Sequence, residues 1–221
     1  DSSLKKLKTI SQLESYHPAK KIIDKRKIPS RFHYKLYFAP KFFEWVNKIV
    51  PNKFPSNIKD HPRLVIPFLD KRNKMFAFQG RAFGKEEPKY FTISLNEDRK
   101  IYGLDKVNWF KKVYVVEGPI DSLFLDNCVA TANSDLRIEE KKQDIILVPD
   151  NQPRNLEIVK RIQTFIDQDY SVCLWPGHIK EKDINDMVLS GTKDIKQIIN
   201  ENTFRGLEAK AHFKTWRKIN G

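Results

Sequence analysis

At 221 residues and 40% hydrophobic composition, the chain can bury one sizeable core or two small ones. No apolar run approaches a bilayer span and these residues hold no signal-peptide core, so a soluble, intracellular protein is expected. Lys and Arg number 41 against 28 acids, and the excess is lopsided: residues 1–112 hold 26 bases and 11 acids, residues 113–221 hold 15 and 17, so a phosphate-bearing partner is expected for the first half.

Residues 1–11, with Lys5, Lys6, Lys8 and two serines, read as a frayed linker. Pro18 opens a helix expected to run to Lys27, with Ile22 and Ile23 inward and five bases outward. A second helix is predicted over Phe42–Ile49, where Phe42, Trp45, Val46 and Ile49 recur at core spacing. Aromatic side chains can stack on bases, but at this spacing Trp45 is expected in the core.

From Arg63 the period changes. Leu64–Phe68, Met75–Phe78 and Lys89–Ile93 read as antiparallel strands, with turns near Asp70–Asn73, Gly84 and Asn96–Asp98. Gly80-Arg81 follows the second of these directly, a place where backbone can approach a ligand and a guanidinium can present its planar fork to phosphate.

In the second half, Val113-Tyr-Val-Val116 is a short buried strand that ends on Glu117 and is broken at once by Gly118-Pro119. A short helix over Pro119–Leu125 and a strand over Cys128–Thr131 follow. The strand Asp144–Pro149 runs into Asp150-Asn-Gln152 and then an amphipathic helix with Leu156, Val159, Ile162 and Ile166 on one face. Ser171–Trp175 leads through Pro176-Gly177 to Lys182-Asp183-Ile-Asn-Asp186. From Asp194 to about Lys218 the spacing predicts helix, basic and amphipathic at its end.

Three strand ends therefore deliver Glu117, Asp150 and Asp183 or Asp186 to one rim, the edge of an α/β sheet where ligands bind. Such acids form a hard oxygen-donor set suited to Mg²⁺ holding phosphates. Each is alternatively a helix N-cap. Asp121 either assists a metal through water or favours the positive end of its helix. Cys128 and Cys173 stand 45 positions apart in apolar runs and the five histidines lack ligand spacing, so no zinc site is expected in this chain and buried thiols suit a reducing cytoplasm.

The succession Val-Glu117-Gly-Pro-Ile-Asp121, Pro-Asp150-Asn-Gln-Pro-Arg-Asn155 and Lys-Asp183-Ile-Asn-Asp186 resembles a TOPRIM domain, the metal-binding fold of primases and topoisomerases. With His61-Pro-Arg-Leu-Val-Ile-Pro67, Phe78-Gln-Gly-Arg-Ala82 and Ile101-Tyr-Gly103, the chain from about residue 12 to 218 resembles the DNA primases of T-even bacteriophages. That resemblance implies an α+β basic subdomain (12–112), an α/β TOPRIM domain with a mostly parallel sheet flanked by helices (113–192) and a C-terminal helical segment (193–221). It implies synthesis of short RNA primers on single-stranded DNA from ribonucleoside triphosphates, with Mg²⁺ or Mn²⁺ held directly or through water by Glu117, Asp150 and Asp183, and with Asp186 and then Gln152 as further candidate ligands. Arg81 and Lys89, then Arg63 and Lys85, correspond to positions that contact template or nucleotide phosphate.

As partners the resemblance implies a hexameric replicative helicase, for which the C-terminal basic helix is one candidate contact, and a zinc-binding module. That module is expected either upstream of this chain or on another chain; the absence of an initiating Met favours the first. The place of action would be the host-cell cytoplasm during infection. One departure is Gln152, which stands where the family carries a second acid after the first Asp. Its carbonyl oxygen can bind Mg²⁺ or its water but adds no negative charge, so a rival expectation is a degenerate TOPRIM domain that binds single strands or loads a helicase without catalysis. A TOPRIM nuclease or topoisomerase fits less well, since a topoisomerase needs a tyrosine nucleophile in a further large domain.

Overall fold

The computed structural model describes residues 2–219 and divides into two compact units, 1–100 and 101–221. Asp1, Asn220 and Gly221, the ends of the expected linker and C-terminal segment, lie outside the described residues.

The first unit is built on a five-stranded antiparallel sheet in chain order: β1 (Lys8–Thr9), β2 (Tyr37–Ala39), β3 (Arg63–Leu69), β4 (Met75–Ala82) and β5 (Tyr90–Ser94). Helix α1 (Pro18–Lys25) starts on Pro18, with His17 Nδ1 accepting the Ala19 N–H. It ends where Arg26 and Lys27 leave helical geometry, and it buries Ala19 and Ile23. Helix α2 (Phe42–Ile49) has the expected bounds. It packs Phe42, Phe43, Trp45 and Val46 against Val65, Phe78 and Ile93 of the sheet, so Trp45 is a core residue. The α2 N-terminus is capped from a distance: Asp60 takes the N–H groups of Phe43 and Glu44 at 2.9 Å each.

Residues 2–11 are not a frayed linker. Leu4 and Ile10 are buried, Lys8 and Thr9 pair with Phe38 and Tyr37, and Trp45 Nε1 donates to the Ser3 carbonyl at 3.1 Å. The lysine count masked the two apolar side chains that anchor the segment.

The second unit has the sheet order β10-β9-β8-β6-β7. The strands are β6 (Val113–Val116), β7 (Cys128–Ala130), β8 (Ile145–Leu147), β9 (Ser171–Cys173) and β10 (Thr203–Phe204). The first four run parallel and β10 is antiparallel on the β9 edge. The helices are α3 (Pro119–Ser122), α4 (Leu156–Asp167), α5 (Ile184–Leu189), α6 (Ile195–Glu201) and α7 (Gly206–Trp216). Val113, Val115, Ile145, Leu147 and Val172 are buried with Val159, Ile162 and Phe165 of α4 and Phe213 and Trp216 of α7. Near-continuous burial of the strands is what a parallel sheet covered by helices requires.

Two expectations change here. Residues 101–112 belong to this unit: Ile101 joins its core, Tyr102 bridges Ala130, and the Asn108 N–H reaches Asn127 Oδ1 at 2.8 Å. The tail is not continuous helix, because β10 interrupts it. Thr203 and Phe204 have the β-branched and aromatic side chains that suit an edge strand, and Gly206 takes the left-handed turn (φ 62°) that opens α7. The buried face of α7 is consequently Ala209, Phe213 and Trp216, while Leu207 and Ala211 are exposed. Among the described residues no helix is long and apolar enough to cross a membrane.

Candidate functional site

The acids lie where the strands of the second unit end. Glu117 directly follows β6, Asp150 stands three residues after β8, and Asp183 opens α5 after the loop from β9. The capping explanation holds for only one of them. Asp183 is the N-cap of α5, its Oδ1 accepting the Asp186 N–H at 2.9 Å. α3 begins on Gly118, without a side-chain cap, and α4 is capped by Asn155, whose Oδ1 takes the N–H groups of Glu157 and Ile158. Glu117 and Asp150 are therefore partly buried carboxylates with no capping role.

Their electrostatics shows that the cluster is short of positive charge. Burial raises the pKa of Glu117, with Glu157 and Asp183 adding to the rise and Lys182 and Arg161 opposing it. Asp150 is pushed up to about 7 by burial, then by Glu117 and Asp183, although Lys182 Nζ stands 3.7 Å from its Oδ2. Removing like-charged carboxylates from water without a full counter-charge has this effect.

Asp121 turns out to serve a helix other than its own. Its Oδ1 accepts the Asn185 N–H at 2.8 Å, in the first turn of α5, and burial with the negative charge of Asp183 holds its carboxyl well above the usual range. A Cβ placed on Gly118 would stand 2.9 Å from Asp121 Oδ2, so glycine after Glu117 leaves room for this carboxylate. The link between α3 and α5 was not visible in the sequence, because its partners are 64 positions apart.

Asp186 is exposed on the first turn of α5. Gln152 lines a cavity on the side of the loop towards β9 and β10, and its N–H donates to the Asp150 carbonyl at 2.9 Å. Among the described residues no group of three or more His, Cys, Asp or Glu side chains is positioned, as it stands, to hold a metal ion. The donor set is nonetheless all oxygen, negatively charged and only partly compensated, which fits a hard divalent cation.

The four basic residues separate into two pairs. Arg63 is fully buried: its Nε donates to His61 Nε2 at 2.9 Å, its Nη1 to the carbonyls of Gly80 (3.1 Å) and Lys89 (3.4 Å), and its guanidinium lies 4.6 Å from the Phe91 ring centroid. Arg81 is 3% exposed and donates from Nε to Tyr90 Oη at 3.0 Å. These two arginines brace β3, β4 and β5; the phosphate-contact expectation for Arg63 is corrected, because its side chain is closed off from solvent, Nε and Nη1 bonding inside the sheet and Nη2 buried without a hydrogen-bond partner, and desolvation lowers its pKa. Lys85 and Lys89 are exposed on the β4–β5 connection, with Lys89 Nζ 5.4 Å from the Tyr90 ring centroid. Gly80 likewise faces protein: a Cβ there would meet the Phe42 ring at 2.1 Å.

These two units together have the fold of a primase catalytic core, as comparison with solved structures shows. A DNA primase domain from Pseudomonas aeruginosa superimposes with a TM-score of 0.68 at 18% identity, covering 97% of this chain and 86% of that one. The DnaG primase catalytic domain bound to ssDNA gives 0.66 at 17% identity, covering 91% and 76%. In sequence, the chain is a relative of the DNA primase of Enterobacteria phage T4, 36% identical over 218 residues. That match takes in 95% of this chain and 63% of the phage protein, so the chain spans somewhat under two thirds of its relative's length. No family model matches.

Proposed function

We propose that this chain is the catalytic core of a DNA primase, synthesising short RNA primers on single-stranded DNA in phage replication. The observation that carries the reading is the meeting of Glu117 and Asp150 at one sheet edge, partly buried and without a capping role, in a chain that shares its fold with primase catalytic cores. We infer that the second unit is a TOPRIM domain and that Glu117, Asp150 and Asp183 would hold Mg²⁺ or Mn²⁺ directly or through water, with Asp186 further out and Gln152 contributing at most a neutral oxygen. When bound, the ion would activate a hydroxyl and stabilise charge on departing phosphate.

The chain's own residues supply placement. Lys182 restrains Asp150, and Asp121 fixes the first turn of α5 so that Asp183 stays at the rim. In the reaction, the 3′-hydroxyl of the primer attacks the α-phosphorus of a ribonucleoside triphosphate, the bond to the bridging oxygen breaks and pyrophosphate leaves. No covalent nucleophile is required of the protein. The DnaG domain that binds ssDNA, and the basic charge of the first unit, support a single-stranded template as partner. Lys85 and Lys89 are the phosphate contacts favoured by exposure; Arg81 acts by holding Tyr90 beside them. The resemblance adds a hexameric helicase and a zinc-binding module as partners.

The test is Mg²⁺-dependent incorporation of a labelled ribonucleotide on single-stranded DNA, with helicase and zinc module supplied, comparing the chain with Glu117→Gln. Short RNA products that vanish in the variant, with DNA affinity within twofold, are expected. Tight DNA binding with no product from either protein would instead favour a non-catalytic adaptor.

A further inference from the structure

Beside the acidic rim, on the side towards β10, the second unit holds a cavity of about 810 Å³. It opens at the carboxyl ends of β8 and β9, between the loop after Asp150, the turn at Pro176-Gly177 and helix α7. Its volume lies within the range of sites that enclose a small ligand, roughly 300–1,000 Å³. None of this is used by the carboxylates described above.

The lining has a definite chemistry. No acidic residue contributes to it among the described residues, although Glu117, Asp150 and Asp183 stand nearby on the same sheet edge. Arg154, Lys180 and Lys218 do contribute, together with the start of α4, whose dipole favours negative charge. The other walls are aromatic: Trp175, Trp216 and a parallel ring pair, Phe204 on His212, with centroids 3.7 Å apart and planes at 7°. Trp175 Nε1 donates to the Pro149 carbonyl, which fixes that ring. Trp216 is 8% exposed, yet its Nε1–H has no hydrogen-bond partner, unlike nearly all buried polar groups. The Lys218 N–H donates to the Pro153 carbonyl at 2.8 Å, tying the end of α7 to the loop that carries Gln152.

A site with cationic residues, flat aromatic walls and no carboxylate recognises a planar group bearing phosphate. We propose that this cavity binds a nucleotide, its base against the His212 and Trp216 side and its phosphate near Arg154 and Lys180. The choice of a nucleotide among planar anions rests on the primase reading. The site itself is separate from the metal-binding acids and needs no divalent cation. The nucleotide is either a free ribonucleoside triphosphate or the end of a nucleic-acid strand, which share this chemistry.

The probe is ATP in EDTA, which leaves the carboxylate rim without a metal to bring phosphate to it. Calorimetric titration of the whole chain with ATP is compared with titration by a 5′-phosphorylated oligonucleotide, and 8-azido-ATP photolabelling locates the site. The expected results are labelling within residues 203–218 and at least tenfold weaker ATP binding in Arg154→Ala/Lys180→Ala and in His212→Ala. Lys71→Ala/Arg72→Ala, which removes two exposed bases far from the cavity in sequence and in the other unit, should leave ATP binding unchanged. Tighter binding of the oligonucleotide than of ATP, with the same sensitivity to the variants, assigns the site to a strand end; the reverse order assigns it to the free nucleotide.

Labelling elsewhere, no binding, or binding indifferent to the cavity variants would overturn the proposal. Circular dichroism of each variant excludes unfolding as the cause of a loss. Should Glu117→Gln prove as active as the parent while the cavity is still labelled, the metal-site reading fails and the nucleotide site stands.

Discussion

A buried carboxylate with too little counter-charge costs stability, and Asp150 is the clearest case. Its pKa of about 7 in the folded chain lies above the 3.8 of an ordinary aspartate, so the native state keeps a proton that the unfolded state releases between those two pH values. Unfolding free energy therefore falls as pH rises from about 4 to about 7 and levels off above, by roughly 4 kcal/mol for about three units at 1.36 kcal/mol per unit. Asp150→Asn should raise the melting temperature of metal-free protein at pH 8 and change it little at pH 4. Added Mg²⁺ should raise the parent's melting temperature more than the variant's. Equal stabilisation at both pH values would show that the burial of Asp150 charge is not the cause. The same carboxylate that is a liability in the metal-free chain is a suitable ligand for a cation.

At the scale of elements, β4 is positioned by a pair that sequence distance conceals. Phe42 of α2 lies across Gly80 so closely that an added Cβ would meet its ring at 2.1 Å, and Phe42 is fully buried among Phe43, Trp45, Phe78 and Phe91. Gly80→Ala is expected to destabilise by about 1–3 kcal/mol, the usual cost of overpacking. Urea unfolding measures this, and Phe42→Leu in the same chain should recover part of it. An additive double variant would show that the ring and the glycine do not compete for one space. The Gly-Arg pair suggests a ligand approaching the backbone; the partner that does approach is α2. Arg63 follows the same pattern, since its position in a basic half suggests an exposed contact, whereas hydrogen bonds to Gly80 and Lys89 make it internal bracing.

For the whole molecule, charge divides with the two units. Residues 1–100 hold 23 bases and 10 acids and residues 101–221 hold 18 of each, so the entire net charge of +13 belongs to the first unit. Affinity for single-stranded DNA should accordingly follow that unit and fall linearly with the logarithm of salt concentration. Replacing Lys85 and Lys89 by Ala should reduce the salt slope by about 1.4, or roughly 0.7 for each phosphate that is no longer neutralised. Glu117→Gln should leave the slope unchanged. Fluorescence anisotropy across a salt series reads both, and an unaltered slope in the lysine variant would remove these two residues from the phosphate-binding set.

Local pattern was enough for much of this architecture. The Val113–Val116 strand broken by Gly118-Pro119, the helix over Phe42–Ile49 and the acids at strand ends were legible, because strand burial, helical period and turn residues are properties of neighbouring positions. What depended on distant partners was not. The anchoring of residues 2–11 by Trp45, the edge strand within the tail, the Asp121–Asn185 link and the internalisation of Arg63 and Arg81 each join residues far apart in the chain or set by sheet register. Residue type announces that a guanidinium can bind phosphate or that a carboxylate can bind a cation. Only the folded chain decides whether water reaches it, since burial is a property of everything packed around the side chain.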